Sequence, residues 1–206
     1  MNCLLCHSVS LIERQDVFSC SSCGLVFKNP SLFLTLEEDF KRYSSHQNNN
    51  QDPGYIQFLE RLLNPLTPFL PEKFTSLDYG CGPGPTLSYL LKIKGGIVSD
   101  YDLLFYPDNK LLEITYDVVT STEVVEHFKN PKQNWEELIS LVKPGGVLGI
   151  MTQFLTDEID YQSWWYKNDP THVTFYNVKT FDYLATKYNL EEIYNDQKAV
   201  VIFRKK

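Results

Sequence analysis

Apolar positions along the chain change period several times, and each change predicts an element. Tyr55, Leu59, Leu62 and Leu63 recur at helical spacing, and Pro65, Pro68 and Pro71 close that helix. Residues 74–79 then read as a short buried strand, 80–84 as a glycine turn, and Pro85 as the first position of a helix whose Leu87, Leu90 and Leu91 share one side. A second strand, GIVSD, ends on Asp100, and residues 116–120 form a third. Asn130 is placed to cap a helix starting at Pro131, where Trp135, Leu138, Ile139 and Val142 repeat at i, i+3, i+4, i+7. Lys143-Pro-Gly-Gly ends that helix, and 147–152 is the next strand. Val178, Phe181, Ala185 and Tyr188 make a last helical face ending at Asn189, and 190–194 with 199–203 pair as a hairpin around Asn195-Asp196. Strands alternating with helices predict a mostly parallel α/β sheet with helices on both faces and an antiparallel C-terminal hairpin.

Such a sheet collects its ligands at the carboxyl ends of its strands. The stretch LDYGCGPGP, residues 77–85, sits at that edge, and its glycines let backbone approach a ligand closely. Asp100 follows Asp78 by 22 residues, where an α/β unit places an acid to accept from ribose hydroxyls. The spacing is not the dinucleotide G-x-G-x-x-G. It reads D-x-G-x-G-x-G from Asp78, with Pro85 where the third glycine should allow close helix packing. A turn of this kind suits a nucleoside with a short charged tail.

Those residues resemble motif I of the class I S-adenosylmethionine-dependent methyltransferases. TYDVVTSTEVVEHFKNP resembles their fourth strand and following loop, and LVKPGGVLGIMT their KPGG turn and fifth strand. The resemblance implies a Rossmann-like methyltransferase sheet. It implies that Gly80, Cys81, Gly82 and Gly84 wrap the methionine end of S-adenosylmethionine, that Asp78 anchors its amino group, and that Asp100 holds the ribose. Ser121, Thr122 and Glu123 would line the cofactor. Only thirteen residues separate Asp102 from Tyr116, where the family fits a helix, a strand and another helix. One sheet edge is therefore expected to be trimmed, with Tyr101, Leu103 and Phe105 covering the adenine.

The aromatic stretch DYQSWWYKNDPTHVTFYN, residues 160–177, follows the fifth strand as a candidate wall or lid over an acceptor. Tyr161, Trp164, Trp165 and Tyr176 are its candidate acceptor contacts, with Asp169 and His172 as candidate catalytic groups. Packing of the tryptophans against the sheet or the N-terminal segment is the competing reading, as is a plain turn at Asp169-Pro170. A histidine near neutrality suits removal of an O–H or N–H proton, so His172 and His127 are the candidate bases. Tyr43 and His46 lie on a polar bridge read as a solvated linker.

Four of five cysteines stand in the first 23 residues as Cys3-x-x-Cys6 and Cys20-x-x-Cys23. Two such knuckles converge on one tetrahedral ion, and the segment resembles a zinc ribbon. Few apolar residues accompany them, so a structural zinc ion would supply the deficit. The chain divides into a ribbon over 1–30, a linker over 31–52 and a methyltransferase domain over 53–206.

Net charge is −7, and basic residues run together only at Arg204-Lys205-Lys206. This disfavours a long phosphate backbone as partner and favours a small-molecule acceptor. An RNA or protein methyltransferase using the ribbon for recognition, and a non-catalytic nucleotide-binding scaffold, are the rival readings. With no apolar run long enough to span a bilayer and no basic or apolar leader at Met1-Asn2-Cys3, a cytoplasmic protein without membrane contact is expected.

Overall fold

The computed structural model describes residues 1–43 and 52–206, so His46 and the Asn/Gln run at 47–51 lie outside the described residues. Strands β1 (Leu11–Arg14), β2 (Val17–Cys20) and β3 (Val26–Lys28) form the ribbon. Helices α1 (Leu36–Tyr43) and α2 (Pro53–Leu66) lead to β4 (Phe74–Tyr79), α3 (Thr86–Ile93), β5 (Gly96–Tyr101) and β6 (Tyr116–Thr122). Helix α4 (Pro131–Ser140) and β7 (Val142–Met151) follow. The chain ends with β8 (Thr174–Phe175), α5 (Val178–Tyr188), β9 (Leu190–Asn195) and β10 (Val200–Lys205).

The main sheet runs β5-β4-β6-β7-β10-β9, with β5, β4, β6 and β7 parallel and β10 antiparallel to both neighbours. It stops at β5 because residues 102–115 build no strand, only an Asp102–Tyr106 bridge and a 3-10 turn over Asn109–Glu113. This is the trimmed edge that the short segment predicts. Strand alternation sorts the core into two layers. Val118, Val147, Met151, Val200 and Ile202 meet Leu59, Leu62 and Leu66 of α2 and Leu87 and Leu91 of α3 on one face. Leu77, Val119, Leu148, Ile150, Val201 and Phe203 meet Trp135 and Leu138 of α4 and Phe181 and Leu184 of α5 on the other.

Boundaries shift where local chemistry allows. Pro65 lies inside α2, one residue before its end, and Pro85 precedes α3 as its cap. Strand β7 starts at Val142 and takes in the KPGG turn through a register shift against β6. Asn189 ends α5 in the left-handed region, at φ 53.

The ribbon is fastened to this domain. Val26 and Phe27 of β3 pair antiparallel with Phe175 and Thr174 of β8, giving a four-stranded sheet β1-β2-β3-β8. Leu5, Phe18, Leu25 and Phe27 are buried in the same apolar cluster as Tyr176 and Phe181. Within 31–52, read as a linker, residues 36–43 form α1. Lys129 ties that helix down, donating to Leu34 O at 2.5 Å and pairing with the buried Asp39 carboxylate, and Arg42 pairs with Asp169 at 2.8 Å. Among the described residues no helix is long and apolar enough to cross a membrane.

Candidate functional site

A cavity of about 580 Å³, within the range of small-molecule sites, opens at the carboxyl ends of β4, β5 and β6. Asp78, Gly80, Cys81, Gly82, Tyr101, Thr122 and Glu123 line it, as do His127, Asp169 and His172. Gly84, Asp100, Ser121, Tyr161, Trp164, Trp165 and Tyr176 do not. Leu36 and Asp39 of α1 and Tyr55 and Phe58 of α2 add walls that the sequence reading left out, and Tyr43 of α1 lines the cavity beside them.

Gly80 and Gly82 take φ of 81 and 66, the left-handed backbone glycine permits. The turn's N–H groups turn inward. Those of Gly80 and Cys81 donate to Tyr101 O at 2.7 and 3.1 Å, and that of Gly82 donates to Asp102 Oδ2 at 3.0 Å. A side-chain carboxylate thus occupies the place where a dinucleotide site would receive phosphate. The turn therefore presents an acidic rim, suited to a ligand with a positive or neutral end. Asp78, fully buried, accepts from Thr120 Oγ1 at 3.0 Å, and burial pushes its carboxyl up to about 7.

Asp100, the residue expected at the ribose, does not line the cavity. Its carboxylate turns onto α3, accepting from the Ser88 hydroxyl with Lys92 at 3.9 Å, and stays outside the cavity. Asp102, two residues on, lines it. Its Oδ1 accepts from the N–H groups of Leu104 and Phe105 at 2.8 and 3.1 Å, which folds Leu103, Leu104 and Phe105 into the wall beside Tyr101. Ser121 does not line the cavity either, its hydroxyl being fully buried within β6.

The aromatic stretch divides by packing. Trp164 and Tyr161 cluster with Phe175 and the ribbon residues Val17 and Val26, while Trp165 is 68% exposed. Tyr176 is fully buried, donating to Val125 O at 3.0 Å and accepting from Trp135 Nε1 at 3.1 Å. None of the four lines this cavity: Tyr161 and Trp164 pack in the seam with the ribbon, Tyr176 lies in the core, and Trp165 faces outward. Tyr166, which sequence reasoning passed over, reaches inward instead. Its hydroxyl lies 2.6 Å from Glu126 Oε1 and 3.0 Å from Glu123 Oε2. Burial pushes Glu123 well above the usual carboxylate range, and neighbouring Glu126 adds to the shift.

His127 and His172 stack edge to face, centroids 4.8 Å apart, and Tyr43 meets His127 from the other side at 5.2 Å. His127 Nδ1 lies 2.9 Å from Thr171 O, and His172 Nδ1 lies 2.7 Å from Tyr166 O. Carbonyls only accept, so both Nδ1 atoms carry hydrogen, and in the neutral rings both Nε2 atoms keep lone pairs. Burial lowers the His172 pKa. Asp169 has no free capacity as a base. Burial raises its carboxyl, but bonds from Thr171 at 2.6 and 2.9 Å and from Arg42 override that and hold it below its ordinary range. It is an anchor between α1 and this loop.

In the ribbon, Cys3 and Cys23 Sγ are 3.6 Å apart, Cys6 and Cys20 Sγ are 3.5 Å apart, and all four lie within 4.8 Å of one another. Four thiolates around zinc at about 2.3 Å stand roughly 3.8 Å apart, so the donor set and spacing fit that ion.

The chain matches the methyltransferase-domain family over residues 48–195. No curated protein matches it by sequence. Solved structures that share the fold include a Galdieria sulphuraria protein provisionally described as a sarcosine dimethylglycine methyltransferase, at TM-score 0.57 and 16% identity over 82% of this chain and 97% of that one. The Burkholderia thailandensis 1,6-didemethyltoxoflavin-N1-methyltransferase, bound to 1,6-didemethyltoxoflavin and S-adenosylhomocysteine, gives 0.54 and 15% over 84% and 91%. An Archaeoglobus fulgidus SAM-dependent methyltransferase gives 0.51 and 18% over 73% and 99%.

Proposed function

The chain belongs to the methyltransferase-domain family, and from that premise we propose that it methylates a small-molecule acceptor with S-adenosylmethionine. The observation that carries this reading is the acidic, glycine-lined rim, where carboxylates stand in place of a phosphate cradle. S-adenosylmethionine supplies an electrophilic methyl on a cationic sulfur, so the protein's task is to bind, align and exclude water. Asp78 holds the amino group, Asp102 the ribose, and Tyr101, Leu103 and Phe105 flank the adenine. Helix α1 screens the site from water, and the Nε2 atoms of His127 and His172 face the acceptor. The small-molecule assignment rests on cavity size, on the net charge of −7 and on the toxoflavin-precursor enzyme among the structures sharing this fold. Cys3, Cys6, Cys20 and Cys23 hold a structural zinc ion.

Calorimetric titration with S-adenosylmethionine tests the reading, and absence of binding would end it. Asp102→Asn is expected to weaken affinity at least about tenfold, ~1.4 kcal/mol, and Asp100→Asn by less than about threefold. The reverse order would restore Asp100 to the ribose. Asp78 gives a pH test. An acid with a pKa of about 7 is mostly protonated at pH 6, and only its ionised form attracts an ammonium group. Affinity should therefore rise between pH 5.5 and 7 by up to roughly tenfold per unit, and Asp78→Asn should flatten that rise. A flat wild-type profile would remove Asp78 from the amino group.

A further inference from the structure

Behind His127 and His172 lie two carboxylates whose hydrogen bonds do not balance. Glu126 is 0% exposed, its Oε1 accepting from Tyr166 and its Oε2 from Thr152 Oγ1 at 2.9 Å. The Tyr166 hydroxyl also touches Glu123 Oε2, yet one proton serves one carboxylate at a time. Glu123 Oε1 is buried and has no hydrogen-bond partner among the described residues. Four carboxylate oxygens thus share two hydroxyl protons in a desolvated space, an arrangement that calls for positive charge.

The imidazoles sharpen that requirement. Both Nδ1–H groups are spent on backbone carbonyls, so in the neutral imidazoles both Nε2 atoms offer lone pairs. His127 Nε2 is 3.9 Å from Glu126 Oε1, and ligand atoms of Glu126, His127 and His172 lie within 4.8 Å of one another. Lone pairs meeting a carboxylate with no hydrogen between them repel. A cation at the centre reverses the sign of every contact. The surrounding bonds are those of a metal site's supporting shell, with each imidazole oriented by a carbonyl and the carboxylate by two hydroxyls.

We propose that Glu126, His127 and His172 bind a divalent cation, with Glu123 as the adjoining oxygen donor. Imidazole nitrogen with carboxylate oxygen suits Mn²⁺, Fe²⁺, Co²⁺ or Zn²⁺. Bonds of about 2.1 Å set ligands roughly 3.0–3.5 Å apart, so the side chains close by about 1 Å on binding. The site rests on the methyl-transfer reading and narrows its acceptor. His127 and His172 line the cavity, so the cation is open to it, and an acceptor hydroxyl completes the coordination. Bound there, the hydroxyl releases its proton to solvent more readily. Its oxygen pair then forms the bond to the methyl carbon, while the carbon–sulfur pair stays on sulfur.

The test uses the full chain with its ribbon loaded with zinc, and Mn²⁺ alone as probe, followed by electron paramagnetic resonance. One Mn²⁺ per chain is expected, with affinity lowered at least roughly tenfold by Glu126→Gln and by His172→Ala. His172 borders the cavity, so its variant serves if Glu126→Gln does not fold. Mn²⁺ should also raise the melting temperature of the parent chain and leave that of His172→Ala unmoved. No bound Mn²⁺, or affinity unchanged in the variants, overturns the proposal and leaves the two carboxylates sharing a proton. S-adenosylmethionine titrated into the same samples separates the two failures. Binding of S-adenosylmethionine without Mn²⁺ sinks the cation alone, and binding of neither sinks the methyl-transfer reading as well.

Discussion

Gly80→Ala is expected to cost at least about a hundredfold in S-adenosylmethionine affinity, ~2.7 kcal/mol, with the sheet still folded. Gly80 sits at φ 81, where a side chain costs roughly 1–2 kcal/mol before it meets anything. A Cβ built there runs into Val124, with Cγ1 at 2.9 Å and Cβ at 3.1 Å. Val124 has no rotatable tail to swing away and belongs to the loop that also carries Glu123 and Glu126. Relief must come from moving backbone. The movable pieces are the turn and the loop after β6, which abut at this point and both line the cavity. Strain is thus released into the binding site while the buried layers of the sheet stay packed. Calorimetry with a thermal melt on the same sample checks this. Affinity within about threefold of the parent would show that the turn does not touch the cofactor.

Removing zinc is expected to have the larger effect on stability. Chelation or Cys3→Ser should lower the melting temperature by more than about 10 °C, as expected for a loss of roughly 4 kcal/mol in a chain of this size. Structural zinc contributes about 10–16 kcal/mol to small ribbons, and here the ribbon is not an isolated module. Cys3 and Cys23 are 0% exposed, and Phe27, Leu25 and Leu5 share one cluster with Phe181 and Tyr176. Loosening the knuckles exposes that cluster and unpairs β3 from β8. Zinc content by atomic absorption, read beside the melt, decides the matter. A chain that holds no zinc and melts unchanged would refute the structural ion.

The sheet was legible because its central strands β4 and β6 are buried on both faces and its helices carry one-sided stripes, so the period change marks the elements though not every boundary. The trimmed edge could be read from length alone, since thirteen residues cannot hold two helices and a strand. Asp102 was harder to see. Asp100 and Asp102 stand two apart and share a side of the chain, so alternation does not choose between them. The choice depends on where β5 stops, at Tyr101, which is settled by pairing with β4. Helix α1 was hidden for a different reason. Its sequence LEEDFKRY is mostly charged, and it is held by Lys129 and Asp169, which lie 90 and 127 residues away from their partners in the chain. No local pattern encodes such contacts. Among the aromatics of 160–177, periodicity cannot tell the inward Tyr166 from the core Tyr176 or the exposed Trp165. That distinction arises only when β8 docks on the ribbon.

The β3–β8 ladder limits how this enzyme can be re-engineered. A fusion of separable modules lets the front piece be exchanged for another recognition unit while the catalytic part is left alone. Here the first 43 residues supply three strands of a shared sheet and one wall of the cavity, so they cannot be traded independently. A shift in acceptor preference would have to be drafted across both ends of the chain at once.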